Sequence, residues 1–243
     1  LSVMFLYLIT VQLIEKWRGK TYNISDAIIA YGSAFVGALT FAFTDSHWFN
    51  AVEAEVYSIS TFFTAIVVWL ILKWEQSENT DGNVKYILII AYILGLATGI
   101  HLLNLLTLPF IALVIYFKKH SFSIPSFLSL MAITLGVFLT IYLGIIKGIT
   151  NLTATYFAIK IMAITLSILF VLLLFTATYF AIKAKKSLLS TILTSIVLIF
   201  IGYSTYATIF IRANQHPAIN ENNPDTAERA VKYMNRDQYG DWS

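Results

Sequence analysis

The chain has 243 residues, 58% of them hydrophobic and 12% charged, with a formal net charge of +3 and no cysteine. That mixture cannot cover a soluble domain in polar groups, and the missing cysteines exclude a disulfide framework, a thiolate nucleophile and a cysteine-ligated metal. The basic residues sit in short loops between apolar runs and not along one face of a folded domain, which excludes nucleic acid as a partner. The chain therefore reads as an integral membrane protein.

The first run, LSVMFLYLITVQLIEKW, is shorter than the roughly 20 residues a bilayer span needs. Its basic residues Lys16, Arg18 and Lys20 follow the run, whereas a signal peptide carries them ahead of it. Leu1 is accordingly read as lying inside a truncated span. Apolar runs then cover 26–44, 54–72, 84–99, 102–117, 122–146, 155–182 and 188–211. Lipid offers no partners for backbone amides, so runs of this kind are expected to be helices. The expected architecture is all-α, a polytopic transmembrane bundle of about eight segments over 1–211. A polar tail over 212–243 would be the start of an extracytoplasmic domain.

Lysine and arginine set the expected orientation. Lys16, Arg18, Lys20, Lys73, Lys85, Lys118, Lys119, Lys183, Lys185 and Lys186 fall in alternate loops, which a zigzag places on the cytoplasmic side. This pattern requires the segments flanking GIHLLN (Gly99 to Asn104) to form a hairpin whose tip reaches the outer side. The outer side then collects the stretch FTDSHWFNAVEAEVYS (Phe43 to Ser58), the GIHLLN tip, the loop KGITN and the tail. In the tail, Asp225 followed by Glu228 suggests a capping box, and Ala227, Ala230, Val231 and Met234 give a helical apolar stripe. The N-x-S/T sequons at Asn23 and Asn151 are read as chance.

A helix beginning near Asn50 would carry Glu53, Tyr57, Ser60 and Thr64 as one polar stripe. Glu55 would then lie about 200° from Glu53, so the two acids serve one small site only if the helix starts after them. Polar stripes at membrane depth face the bundle interior or a watery cavity. One reading makes Asp45, Glu53 and Glu55 solvated loop acids, with Trp48 and Phe49 in an aromatic belt. The other makes them a site at the membrane surface, with an acid as general base, or with Asp45, His47 and a glutamate as candidate ligands of a divalent metal. His101 sits at the hairpin tip, with Gly95 and Gly99 allowing close helix approach. Lys147, Lys160 and Arg212 either snorkel to headgroups or bind a lipid phosphate.

The runs HWFNAVEAEVYSIS and GLATGIHLLNLLTLPFIALVIYF, with the tail signature NRDQYGD, resemble a bacterial family of polytopic membrane proteins long carried as a family of unknown function. Its eukaryotic relative is a transmembrane protein O-mannosyltransferase of the secretory pathway. The resemblance implies a glycosyltransferase of the GT-C class in the bacterial inner membrane, moving a sugar from a polyprenyl-phosphate donor to a protein or glycan acceptor on the extracytoplasmic face. It also implies that a Trp-Asp-x-Gly-Glu type loop, the family's counterpart of a catalytic-acid loop, lies upstream of Leu1. On that reading Glu53, Glu55 and Asp45 are the catalytic candidates. His47, Tyr57, His101, Asn104, Lys160 and Arg212 are the substrate-binding ones, with Tyr57 and Asn104 supporting Glu53 and His101 by hydrogen bonds. A transporter or flippase with an outer polar gate, and a scaffold for an extracytoplasmic domain, are the rival classes.

Overall fold

The computed structural model describes residues 1–19, 23–53, 55–77, 83–139, 157–235, 237 and 240, without the side chains of 157–164, 166, 167, 227 and 235. Among the described residues all regular structure is helical. The helices are α1 (Ser2–Arg18), α2 (Ile24–Ala42), α3 (Asp45–Val52), α4 (Tyr57–Gln76), α5 (Val84–Ile100), α6 (Thr107–Lys119), α7 (Ile124–Leu139), α8 (Phe157–Lys183), α9 (Ser187–Ser204), α10 (Ala207–Ala213) and α11 (Ala227–Asn235). Four stretches are long and apolar enough to cross a bilayer on their own: Ile24–Ala42, Tyr57–Gln76, Leu102–Lys119 and Ser187–Ala213. Others, such as α5 and α7, are apolar but shorter. The chain divides into two compact units, one of residues 1–122 with 198–203, the other of 123–197 with 204–243.

In the first unit α4 is central and packs against α1, α5 and α6. Its inner face supplies Val67, Leu70, Ile71 and Trp74, which meet Ile90, Ile93 and Leu94 of α5 and Ile111 of α6. Lipid tails are as apolar as these side chains, so close packing and interhelical hydrogen bonds hold the helices together more than removal from water does. α2 packs on α1 with Ala30, Ala34 and Ala38 buried at a spacing of four, small side chains that let two backbones come close. A π-turn over Ile28–Gly32 interrupts α2 near its start. Asn23, the residue of one sequon, caps that helix by accepting the N–H of Asp26 at 2.8 Å. Asn151 and Lys147 lie outside the described residues.

The direction of each helix follows from its partners. Lys16 at the end of α1 pairs with Glu75 at the end of α4 at 2.9 Å, and Phe5 near the start of α1 touches Phe62 and Trp69, so α1 and α4 run parallel. α6 also runs parallel to α4. Asn104, just before it, bonds Ser60 and Thr64, and Lys118 at its end bonds the carbonyls of Trp74 and Ser77. α5 returns between them, so α5 and α6 form the expected hairpin with His101 at its tip. Gly95 on α5 lets the backbone of α9 come close: a Cβ there would run into the backbone of Ile199, and one at Gly202 into the carbonyl of Tyr92.

The connection between the second and third apolar runs departs from expectation. The polar stretch forms its own short helix, α3, and Glu53 ends it in an extended conformation (φ −74°, ψ 145°), while α4 starts at Tyr57. Tyr57, Ser60 and Thr64 share α4, but Glu53 is not on it. Both acids precede the membrane helix, so the 200° separation that a continuous helix would impose does not arise.

In the second unit α8 is apolar all round. Of its described side chains, Leu174, Thr178 and Ala181 are buried along one stripe, and Ile168, Phe170, Leu172, Phe175 and Tyr179 are exposed. Within the span Ser187–Ala213 the helix is interrupted by a turn at Thr205 and Tyr206. α11 folds back on α10 through Tyr233, whose ring lies 6.4 Å from that of Tyr206 and 6.5 Å from that of Phe210. The expected capping box does not form: Thr226, not Asp225, accepts the N–H of Arg229 (3.3 Å). Asp225 instead pairs with the Arg229 guanidinium at 2.7 Å, and Glu228 with Lys232 at 3.1 Å.

Candidate functional site

The two ends of the first unit carry different chemistry. One end gathers Lys16, Lys73, Glu75 and Lys118, and Lys118 rests over the Trp74 ring at 4.5 Å while its ammonium donates to the carbonyls of Trp74 (2.7 Å) and Ser77 (2.8 Å). Trp74 is in the last turn of α4 and Ser77 caps its end; the Trp74 carbonyl also accepts from the Ser77 hydroxyl at 2.7 Å, and the carbonyls at a helix C-terminus favour a cation. The opposite end holds α3, the connection with Glu53 and Glu55, the start of α4 and the hairpin tip.

The tip is built around Asn104, which is only 2% exposed. Most threonine hydroxyls in these helices bond the carbonyl four residues back, as Thr61 does to Tyr57 and Thr98 to Leu94. Ser60 and Thr64 instead donate across to Asn104 Oδ1, at 3.2 and 3.1 Å. Asn104 Nδ2 donates to the carbonyls of Ala97 (3.1 Å) and His101 (2.9 Å), and its own carbonyl accepts from the Thr107 hydroxyl. The amide thus adds a second donor to two carbonyls that already accept the backbone N–H groups of His101 and Asn104, and it ties the tip to α4.

This clamp presents His101. Its backbone is extended (φ −152°, ψ 124°), its Nδ1 accepts from the Leu103 N–H at 3.3 Å, and its ring lies 5.6 Å from that of Tyr57. With Nδ1 accepting, Nε2 carries the proton of the neutral ring. Tyr57 is itself 45% exposed.

α3 begins at Thr44, whose hydroxyl caps the N–H of His47 at 3.4 Å. The His47 ring is half-buried against Phe41 at 4.4 Å. Asp45 and Glu55 are exposed and Glu53 is half-buried, and among the described residues none of the three has a side-chain hydrogen bond or ion pair. No group of three or more His, Cys, Asp or Glu side chains among the described residues could hold a metal, so Asp45, His47 and a glutamate do not form a donor set there.

The structure therefore brings His101, Tyr57 and Asn104 together and places Asp45, His47, Glu53 and Glu55 at the same end of the first unit. Sequence reasoning named Ser60 and Thr64 as a stripe but missed their shared acceptor, and it missed the Lys118 clamp. A lysine in the last turn of an apolar helix was the available signal. Lys160 and Arg212 belong to the second unit. The side chain of Lys160 lies outside the described residues. Arg212 lines an open groove of about 480 Å³ with Thr208, Ile209, Ile211 and Gln215, and donates to Gln215 at 3.2 Å.

These features define a polytopic helical membrane protein with a polar site at one end of its first unit. The family model described as "Protein O-mannosyl-transferase TMEM260 N-terminal domain" matches residues 1–124, just over half of the chain, and the chain belongs to that family. The match covers α1 to α6 and ends within two residues of where the first unit's long segment ends. No curated protein and no solved structure matches the chain.

Proposed function

We propose that the chain is part of a GT-C class glycosyltransferase that moves a mannose-like sugar from a polyprenyl-phosphate donor to a hydroxyl of a protein or glycan acceptor. The observation that supports it best, in a chain of this family, is the polarity of the first unit: cations close helix ends at one end, and carboxylates and histidines gather at the other. By the positive-inside rule the basic end faces the cytoplasm, which puts the acids on the extracytoplasmic face of a bacterial inner membrane. The transmembrane part is 1–211, and the tail from Arg212 lies on the extracytoplasmic side.

In the reaction, the acceptor oxygen forms a bond to the anomeric carbon while the bond from that carbon to the phosphate oxygen breaks. The lipid phosphate leaves with the bonding pair, and a carboxylate takes the hydroxyl proton. Glu53, Glu55 and Asp45 are the candidates for that base in this chain. His101 and His47 line the donor or acceptor, and Tyr57 supports His101; Lys160 and Arg212, in the second unit, are candidates for binding a lipid phosphate on their own account. Asn104 is buried and engaged on both sides of its amide, so it contributes by holding His101 and not by touching substrate.

The test is transfer of radiolabelled mannose from a polyprenyl-phosphate donor to membrane protein, comparing the parent with Glu53→Gln and His101→Ala. A loss of at least tenfold in well-inserted variants is expected, about 1.4 kcal/mol of transition-state stabilisation. Full transfer by both variants would remove these residues from the site. No transfer from any of several sugar donors, with substrate moving unchanged into sealed vesicles, would overturn the enzyme reading in favour of transport.

A further inference from the structure

α3 has eight residues and is about 12 Å long at 1.5 Å per residue, too short to cross a bilayer, yet it lies between two stretches that can. Its faces differ sharply. His47 and Asn50 are half-buried against the bundle end. Trp48, Phe49 and Val52 are 60%, 63% and 70% exposed and fall within an arc of about 100° on the helix. Asp45 falls under the same arc at the first helical position, where free N–H groups favour its charge.

What covers this apolar face is indicated by its continuity with the lipid-facing side of α2. Phe35, Leu39 and Phe43 are exposed at a spacing of four along that candidate span, with Val36 beside them. Phe43 then stacks on Trp48, centroids 6.4 Å apart and planes 13° apart, which joins the stripe to the outer face of α3. A surface that runs without interruption from a membrane helix onto a short helix carrying tryptophan fits the boundary between headgroups and acyl chains. A protein ligand would call for a patch set apart from the lipid-facing stripe.

We propose that α3 lies in the plane of the membrane, docked on the bilayer interface through Phe43, Trp48, Phe49 and Val52, with that apolar face buried about 5–10 Å into the boundary between headgroups and acyl chains. So placed, it holds the connection bearing Glu53 and Glu55 at headgroup level. The inference needs only the helices and a bilayer, and it stands or falls separately from the transfer reaction.

The chain has no cysteine, so single cysteines can be spin-labelled without background. The full chain carrying Phe49→Cys, Val52→Cys or Ser46→Cys is reconstituted in vesicles of phosphatidylcholine and phosphatidylglycerol. Collisions of the label with oxygen, which concentrates in lipid, are compared with those of a water-soluble nickel chelate, with Phe35→Cys as the lipid-exposed reference. Labels at 49 and 52 are expected to favour oxygen several-fold, approaching the reference, while the label at 46, about 60° around the helix from 49 and about 120° from 52, favours nickel. All of these positions are exposed, and Trp48→Cys supplies a further outer-face site if one variant folds poorly. Equal nickel access at 46, 49 and 52 would overturn the proposal and make α3 a water-facing ledge for an acceptor. Protection of 49 and 52 from both reagents would overturn it in favour of a protein partner or a second copy.

Discussion

The two ends of the first unit solve the same problem with opposite materials. Each must finish the ends of packed helices. At the basic end charges do it: Lys16 closes on Glu75, and Lys118 closes on the carbonyls of Trp74 and Ser77. At the polar end a neutral amide does it, with Asn104 bonding two carbonyls and two hydroxyls, while Asp45, Glu53 and Glu55 have no side-chain partner among the described residues. Where charge is used for structure it is unavailable for chemistry. Where a neutral group carries the structure, the charges stay free.

Substitutions should grade this contrast. Asn104→Ala is expected to cost most, about 3 kcal/mol, because it removes a buried side chain with bonds on both sides and leaves the Ser60 and Thr64 hydroxyls without their shared acceptor. The midpoint of unfolding in a detergent–denaturant titration reads it. Lys118→Met, which keeps the packing over Trp74 but loses the ammonium, is expected to cost about 1.5 kcal/mol in the same titration. If Lys118→Met proved the more damaging, the polar end would not be the more tightly wired of the two. Replacing Lys16 by Gln should change the midpoint least, by about 0.5 kcal/mol, since the lysine is over half exposed and such pairs are screened.

The weakest effect lies in the tail and depends on pH. Burial pushes the Asp225 carboxyl up, but the hydrogen bond and charge of Arg229, with the Asn223 amide, outweigh it and hold the group below the usual aspartate range. A carboxyl depressed in the folded state stabilises fully above its unfolded value, and that contribution fades as pH falls through the folded one. Acidification below the usual aspartate range should therefore loosen the first turn of α11, seen as faster amide exchange at Arg229 once corrected for intrinsic rates. No change there would show that Thr226 alone holds the turn.

Much of this was legible in the sequence because its causes are local. The apolar runs gave the helices, and the alternation of basic loops gave the hairpin at GIHLLN and the separation of the two ends of the first unit. Tyr57, Ser60 and Thr64 were read on one face and lie on one helix. The break at Glu53 was not legible. AVEAEV contains no glycine or proline, and alanine and glutamate favour a helix, so nothing local announces that the chain turns there. The turn belongs to tertiary structure: α3 packs its His47 side on the bundle end and cannot continue along the axis of α4. The tail cap failed for a different reason. Asp225 and Thr226 are both good caps, and the guanidinium of Arg229 claims the aspartate, which leaves the threonine to take the amide.

The closest approach of α5 to the last turns of α9 is made at two glycines. At Gly95 and Gly202 main chain lies against main chain, so there are no rotamers through which the contact could adjust. A flexible side chain can turn aside for a bulkier neighbour, but here even a Cβ must move main chain. The crossing thus behaves as a rigid weld, and the hairpin that carries His101 inherits its alignment from two hydrogen atoms on Gly95.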